Sequence, residues 1–147
     1  MICSFIENQE ISFYKSIYNS YYCKLPIKTF DNILVFFKED TFEHAFYESQ
    51  NRKQKDKSIF SYKRANRIYW IKWVLKNPNA ELYKGYNHFT KSYDKSRRIS
   101  ICVDNYTVVI ELNKKNNKAK FITAYVADGI NGKGEKAIDL IKSGEKW

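Results

Sequence analysis

Residues 98–126 read RISICVDNYTVVIELNKKNNKAKFITAYV. Ile99, Ile101 and Val103 alternate with Ser100 and Cys102, the period-two pattern of a strand with one buried face. Asp104-Asn105 form a tight turn, after which Tyr106, Val108, Ile110 and Leu112 resume the alternation. The polar run NKKNNK (113–118) is a second turn, and Phe121 to Val126 supply a third strand. Successive strands joined by short polar turns predict an antiparallel meander. Along the third strand, simple alternation puts Thr123 and Tyr125 on one face with Phe121. Ile122, Ala124 and Val126 then turn the other way, toward the helices.

Outward from the meander the period changes. Ala65, Ile68, Ile71 and Leu75 recur at three- and four-residue steps, so Tyr62–Lys76 is expected as one amphipathic helix. Asn77-Pro78 stops it, because the residue before proline avoids the helical region. Before it lies a basic loop, NRKQKDKS (51–58). A short helix is expected over residues 41–50, with Asp40 and Glu43 as a capping box and Phe42, Ala45, Phe46 and Ser49 facing inward. Ile33 to Phe37 is an apolar run expected as a strand buried on both faces. Ile11, Tyr14, Tyr18 and Tyr21 have roughly helical spacing, and Pro26 closes that segment. Leu82-Tyr83 reads as a short strand followed by a Tyr/His/Lys loop. Asp128 to Gly134 is glycine-rich without the spacing of a phosphate-binding loop, and Glu135–Lys142 is a short closing helix. The fold class is α+β, with N-terminal helices on one face of an antiparallel meander. Residues 1–29 read as a helical extension and 30–147 as one compact domain.

The chain has 147 residues, 44% hydrophobic, enough for a core without staples. No apolar run reaches membrane-spanning length, and Met1 to Phe5 lack the basic start of a secretion signal. Three widely spaced cysteines (Cys3, Cys23, Cys102) argue for a reduced, cytoplasmic setting. No Cys/His cluster has zinc spacing. The net charge of +10 is uneven: residues 1–50 carry 4 Lys/Arg against 7 Asp/Glu, and residues 51–147 carry 22 against 9. A basic second part suits a polyanion, most simply nucleic acid.

Few side chains could do chemistry. His44 is expected near the start of the 41–50 helix, where the positive helix end favours the neutral imidazole of a general base. Glu48, one turn on, would hold its ring. Thr123 and Tyr125 offer a hydroxyl and a phenol side by side. Arg98, Arg97, Lys95, Lys63, Arg64, Arg67 and His88 supply cations or a second acid/base. The scattered carboxylates offer no two-metal site. A nuclease built from this set would work without metal, hence on RNA, whose own 2′-OH attacks the adjacent phosphate.

Three pieces in order carry a resemblance. These are Glu43-His44-Ala45-Phe46 on a short helix, FSYKRANRIYWI (60–71) running to Leu75-Lys76-Asn77-Pro78, and Phe121-Ile122-Thr123-Ala124-Tyr125 closing the meander. Over about residues 30–128 the chain resembles the barnase/EndoU/colicin/RelE-like (BECR) nuclease superfamily, in its phage- or toxin-associated branch. The resemblance implies a metal-independent endoribonuclease acting in the cytoplasm, natively or after delivery into a target cell, on tRNA or another RNA. It implies a cognate immunity protein or antitoxin as a partner, no cofactor, no metal and no membrane. His44 matches the family's helical histidine, Thr123 and Tyr125 its strand residues, and Arg98 or Arg64 its arginine. Lys63, Arg64, Arg67, Lys95, Arg97 and His88 are then RNA-binding candidates. The alternative from another class is a non-catalytic basic nucleic-acid-binding module or a phage accessory protein that keeps the fold alone.

Overall fold

The computed structural model describes residues 5–48, 59–84, 86–87, 92–93, 98–113, 117–130 and 133–142. The order is α1 (Ile11–Ile17), a π-helical turn over Tyr18–Tyr22, β1 (Ile27–Lys28), β2 (Leu34–Phe36), α2 (Thr41–Phe46), β3 (Tyr47–Glu48) and β4 (Ile59–Phe60). Then come α3 (Tyr62–Ala65), α4 (Trp70–Lys76), β5 (Glu81–Lys84), β6 (Tyr86–Asn87), β7 (Ser92–Tyr93), β8 (Arg98–Val103), β9 (Tyr106–Asn113), β10 (Lys118–Val126) and α5 (Ala137–Lys142). Six strands form one sheet in the order β1-β2-β10-β9-β8-β5, and the pairs β3-β4 and β6-β7 stand apart. The fold is α+β.

The meander forms as expected, β8 to β9 to β10, all antiparallel. The sheet as a whole is mixed, because β2 joins β10 in parallel over Lys118–Lys120. β2 is not buried on both faces: Val35 is buried, while Phe36 on the opposite face is half-exposed.

A bulge corrects the expected facing of β10. Phe121 opposes Ile110 and Thr123 opposes Val109, so Ile122 is an extra residue in the ladder. The extra residue inverts the alternation. Ala119, Phe121 and Ala124 all join the core with Ile99, Ile101, Val108 and Ile110. Lys118, Lys120, Thr123 and Tyr125 share the second face. Phe121 therefore does not lie beside Thr123 and Tyr125.

The segment expected as an N-terminal extension supplies the centre of this same core. Tyr14, Tyr18 and Tyr22, at four-residue steps, have no solvent exposure. Tyr22 completes the stripe in place of Tyr21, because the i→i+5 turn after Tyr18 brings the fourth residue back over the first. Tyr21 instead packs outside against Tyr69. The Tyr18 ring meets Phe37, Phe42, Phe46 and Phe121, joining helix, loop and sheet.

Each buried phenol has a polar partner. Tyr18 donates to the Lys38 carbonyl at 2.7 Å. Tyr14 donates to Asn66 Oδ1 and Tyr22 to the Ile68 carbonyl. The Tyr22 bond is one of three claims on backbone carbonyls that explain why the helix expected over Tyr62–Lys76 is two helices. The Asn66, Arg67 and Ile68 carbonyls accept from Ile6 N, Tyr106 Oη and Tyr22 Oη respectively. Residues 66–69 close into tighter turns, with Ile68 N on Ala65 O and Trp70 N on Arg67 O. The expected apolar stripe survives the break: Ala65, Ile68, Ile71 and Leu75 are all buried.

The helix after Asp40 is shorter than expected, six residues, and Asp40 makes no capping bond. Glu43 pairs with Lys15 at 3.3 Å instead. The backbone becomes extended at Tyr47 and pairs with β4. Phe42, Ala45 and Phe46 face inward as expected, and Ser49 lies outside the described residues.

Tyr18→Ala removes a ring at the junction of three elements and should cost about 3–5 kcal/mol. Tyr21→Ala should cost well under half as much. Urea denaturation of both variants checks this, and equal losses would show that the N-terminal helix is not part of the core.

Candidate functional site

The C-terminal half of β10 ends at a cleft of about 300 Å³. Lys63 and Arg64 of α3 and Glu48 of β3 form one wall. Tyr125 and Val126 form the base, and Asp128 to Ile130 with Ala137 and Leu140 of α5 form the far side. Ser61 places the first wall by capping α3: its Oγ accepts from Arg64 N at 3.2 Å.

Arg64 is the central charge. Its side chain is 17% exposed, and its guanidinium lies 5.6 Å from the Tyr125 ring centroid. It donates to the Ala45 carbonyl at 3.2 Å and has Glu48 Oε1 at 3.8 Å. Burial pulls its pKa below the ordinary arginine value, opposed by Glu48 and Tyr125. The guanidinium stays charged at any working pH. A largely buried cation held over a phenol with donors to spare is suited to a phosphate oxygen.

Burial, with the nearby Cys102, raises the Tyr125 pKa, and Arg64 draws it part of the way back. The phenol is therefore protonated at neutral pH and can give up a proton. Across the cleft mouth Lys63 pairs with Asp128, both half-exposed, and this bond holds the Asp128 carboxyl below the usual carboxylate range. On the neighbouring strands, Cys102 and Thr107 are buried. Lys142 of α5 reaches Glu81 of β5 at 3.7 Å. Glu81 accepts from Tyr83, whose hydroxyl is pushed up to about 12 by that bond.

The expected site residues are only partly gathered. Arg64, Lys63 and Tyr125 line one cleft. His44 is exposed and sits in the last turn of α2, not the first, so the helix start cannot act on it as expected. It directly precedes Ala45, whose carbonyl holds Arg64. Glu48 lies on a strand and faces Arg64, rather than one helical turn from His44. Thr123 does not line the cleft: its Oγ1 is buried and lacks a hydrogen-bond partner among the described residues.

Arg98 shares the second face with Tyr125 but stands two strands across and four ladder positions along, roughly 13 Å in the strand direction alone at 3.3 Å per residue. Arg67 packs between Phe5 and Trp70, 5.1 Å from each ring, and donates to the Lys63 carbonyl. His88, Lys95 and Arg97, with the basic loop 51–58, lie outside the described residues.

The sequence reading missed Glu48 as the partner of Arg64, and missed Asp128 and α5 as a wall. No local pattern signals either, since both depend on where the chain returns. Among the described residues, no group of three His, Cys, Asp or Glu side chains could hold a metal, and no helix is long and apolar enough to cross a membrane. Neither a family model, nor a curated protein, nor a solved structure matches this chain.

A buried hydroxyl without a partner is a cost of about 1–3 kcal/mol. Thr123→Val keeps the shape and removes the hydroxyl, so stability should be unchanged or higher by that order. A urea midpoint that falls clearly would show that the hydroxyl is bonded.

Proposed function

We propose that the chain is a metal-independent endoribonuclease whose reaction centre is the Arg64–Tyr125 cleft. The observation that carries this reading is the largely buried Arg64 guanidinium held over a protonated phenol beside an open cleft. The resemblance of residues 30–128 to BECR nucleases supports it, as does the net charge of +10.

In this reading an RNA phosphate displaces the exposed Lys63–Asp128 contact and takes its place beside Arg64. The resemblance assigns His44, next in the chain to the Ala45 whose carbonyl holds Arg64, to accept the proton of the 2′-OH as that oxygen attacks phosphorus. Arg64 and Lys63 stabilise the charge that gathers on the non-bridging oxygens. The bond from phosphorus to the 5′-oxygen breaks, and Tyr125 gives its proton to that leaving oxygen. The products are a 2′,3′-cyclic phosphate and a 5′-hydroxyl. Glu48 orients Arg64 through their ion pair. The buried Thr123 hydroxyl takes no part. The resemblance extends the proposal to a cytoplasmic site of action and to an immunity protein or antitoxin as partner.

Purified protein should cut total RNA in EDTA and leave DNA intact. Arg64→Gln should lower kcat/KM by about 10²–10³-fold. Tyr125→Phe and His44→Ala should each lower it by about 10²–10⁴-fold, with circular dichroism unchanged. RNA with a 2′-deoxy residue at the cut position should resist. Retardation of RNA without fragments would instead mark a binding module, and cleavage of the deoxy substrate would exclude attack by the 2′-OH.

A further inference from the structure

The opposite end of the same sheet face carries cations that this mechanism does not use. One row crosses four strands in register: Phe36, Lys120, Glu111 and Arg98. Glu111 holds both neighbours, with Lys120 Nζ at 3.0 Å and Arg98 Nε at 4.0 Å. Lys118, two residues back along β10, sets its Nζ 5.8 Å from the Phe36 ring centroid. Phe36 is 39% exposed, and the Lys120 and Arg98 side chains are half-exposed. Three cations against one carboxylate leave this end of the face with a net charge of +2.

Surface ion pairs of this kind contribute little to stability, and an exposed ring beside them contributes less than a buried one. The set has a different use. A ring to stack on, with cations on either side, is what binds an unpaired nucleotide. An acidic peptide would use the cations and leave the ring bare. A duplex keeps its bases stacked inside, out of reach of Phe36.

We infer that Phe36, Lys118, Lys120 and Arg98 form a subsite for single-stranded RNA at this end of the face, away from the Arg64–Tyr125 cleft. Same-face side chains of a strand recur about every 6.6 Å. Lys118 and Tyr125 stand roughly 20 Å apart along β10, allowing for the bulge at Ile122, and the buried Thr123 hydroxyl lies between them, so the subsite is separate from the cleft. Glu111 fixes the spacing of the two cations beside it. A base on Phe36 displaces the Lys118 ammonium from the ring onto the adjoining phosphate. The inference does not rest on the nuclease reading.

The test uses the full chain and a labelled 2′-O-methyl single strand of about 12 nucleotides, which cannot be cleaved by 2′-OH attack. Its binding is followed by fluorescence anisotropy over a range of salt. Phe36→Ala should weaken binding roughly five- to a hundredfold, the loss of one stacked base. Replacing Lys118 and Lys120 together by Ala should flatten the slope of log affinity against log salt by about 1.4, since each lost phosphate contact removes about 0.7. A duplex of the same sequence should bind more weakly and be indifferent to Phe36→Ala. Wild-type binding by both variants, equal loss on duplex and single strand, or no binding of the single strand would each overturn the subsite. Should Phe36→Ala fail to fold, the salt slope of the lysine variant decides. Because the probe is not cut, these results stand apart from the nuclease reading. Intact binding effects in a protein that never cleaves RNA would refute that reading and leave the subsite. Cleavage by a protein whose variants bind normally would do the reverse.

Discussion

Three phenol hydroxyls in the dark interior fix the arrangement on which the rest depends. A tyrosine buried without a partner for its hydroxyl loses much of what its ring gains. Tyr14, Tyr18 and Tyr22 escape that loss because each meets a polar group on a different part of the chain: Asn66, the Lys38 carbonyl and the Ile68 carbonyl. Each bond has a direction that a greasy contact lacks, so the N-terminal helix is held in one rotation and one depth. Two of the three acceptors lie in the turn between α3 and α4. The clamp therefore sets where α3 ends, and with it where Arg64 points.

The cleft follows from that clamp and from the bulge in β10. Without Ile122 as an extra residue, Phe121 and Tyr125 would share a face, and either the core or the cleft would lose its aromatic ring. With it, Phe121 stacks on Phe37 at 4.8 Å inside, and Tyr125 stands under Arg64 outside. The buried, unpaired hydroxyl of Thr123 sits immediately after the irregularity. One strand thus serves two surfaces at the cost of one unsatisfied group.

The sequence revealed whatever depends on local period or on turn residues. The β8–β10 meander, the inward stripe from Ala65 to Leu75 and the stop at Asn77-Pro78 are of that kind. It hid whatever depends on chain returns. The break at 66–69 comes from tertiary claims on three carbonyls, which no window of residues records. The parallel seat of β2 and the bulge at Ile122 are choices of register, and alternation read along one strand cannot see them. The same division holds for the site. Tyr125 and Arg64 were legible as residue types in a basic, aromatic setting. Their pairing, the turn of Glu48 toward Arg64 and the withdrawal of Thr123 from the cleft all required the packing of α3 against β10.

The short reach of β2 has an effect on how the protein behaves in a crowd. β2 pairs with β10 only as far as Lys120, so beyond that point one side of the last meander strand has no ladder partner among the described strands. Bare strand edges are templates for adding a strand from another molecule. Here α2 packs against β10. That helix also carries His44. Solubility and the proposed chemistry therefore share six residues, and a lesion that loosens α2 would be expected to turn a lost activity into a visible aggregate.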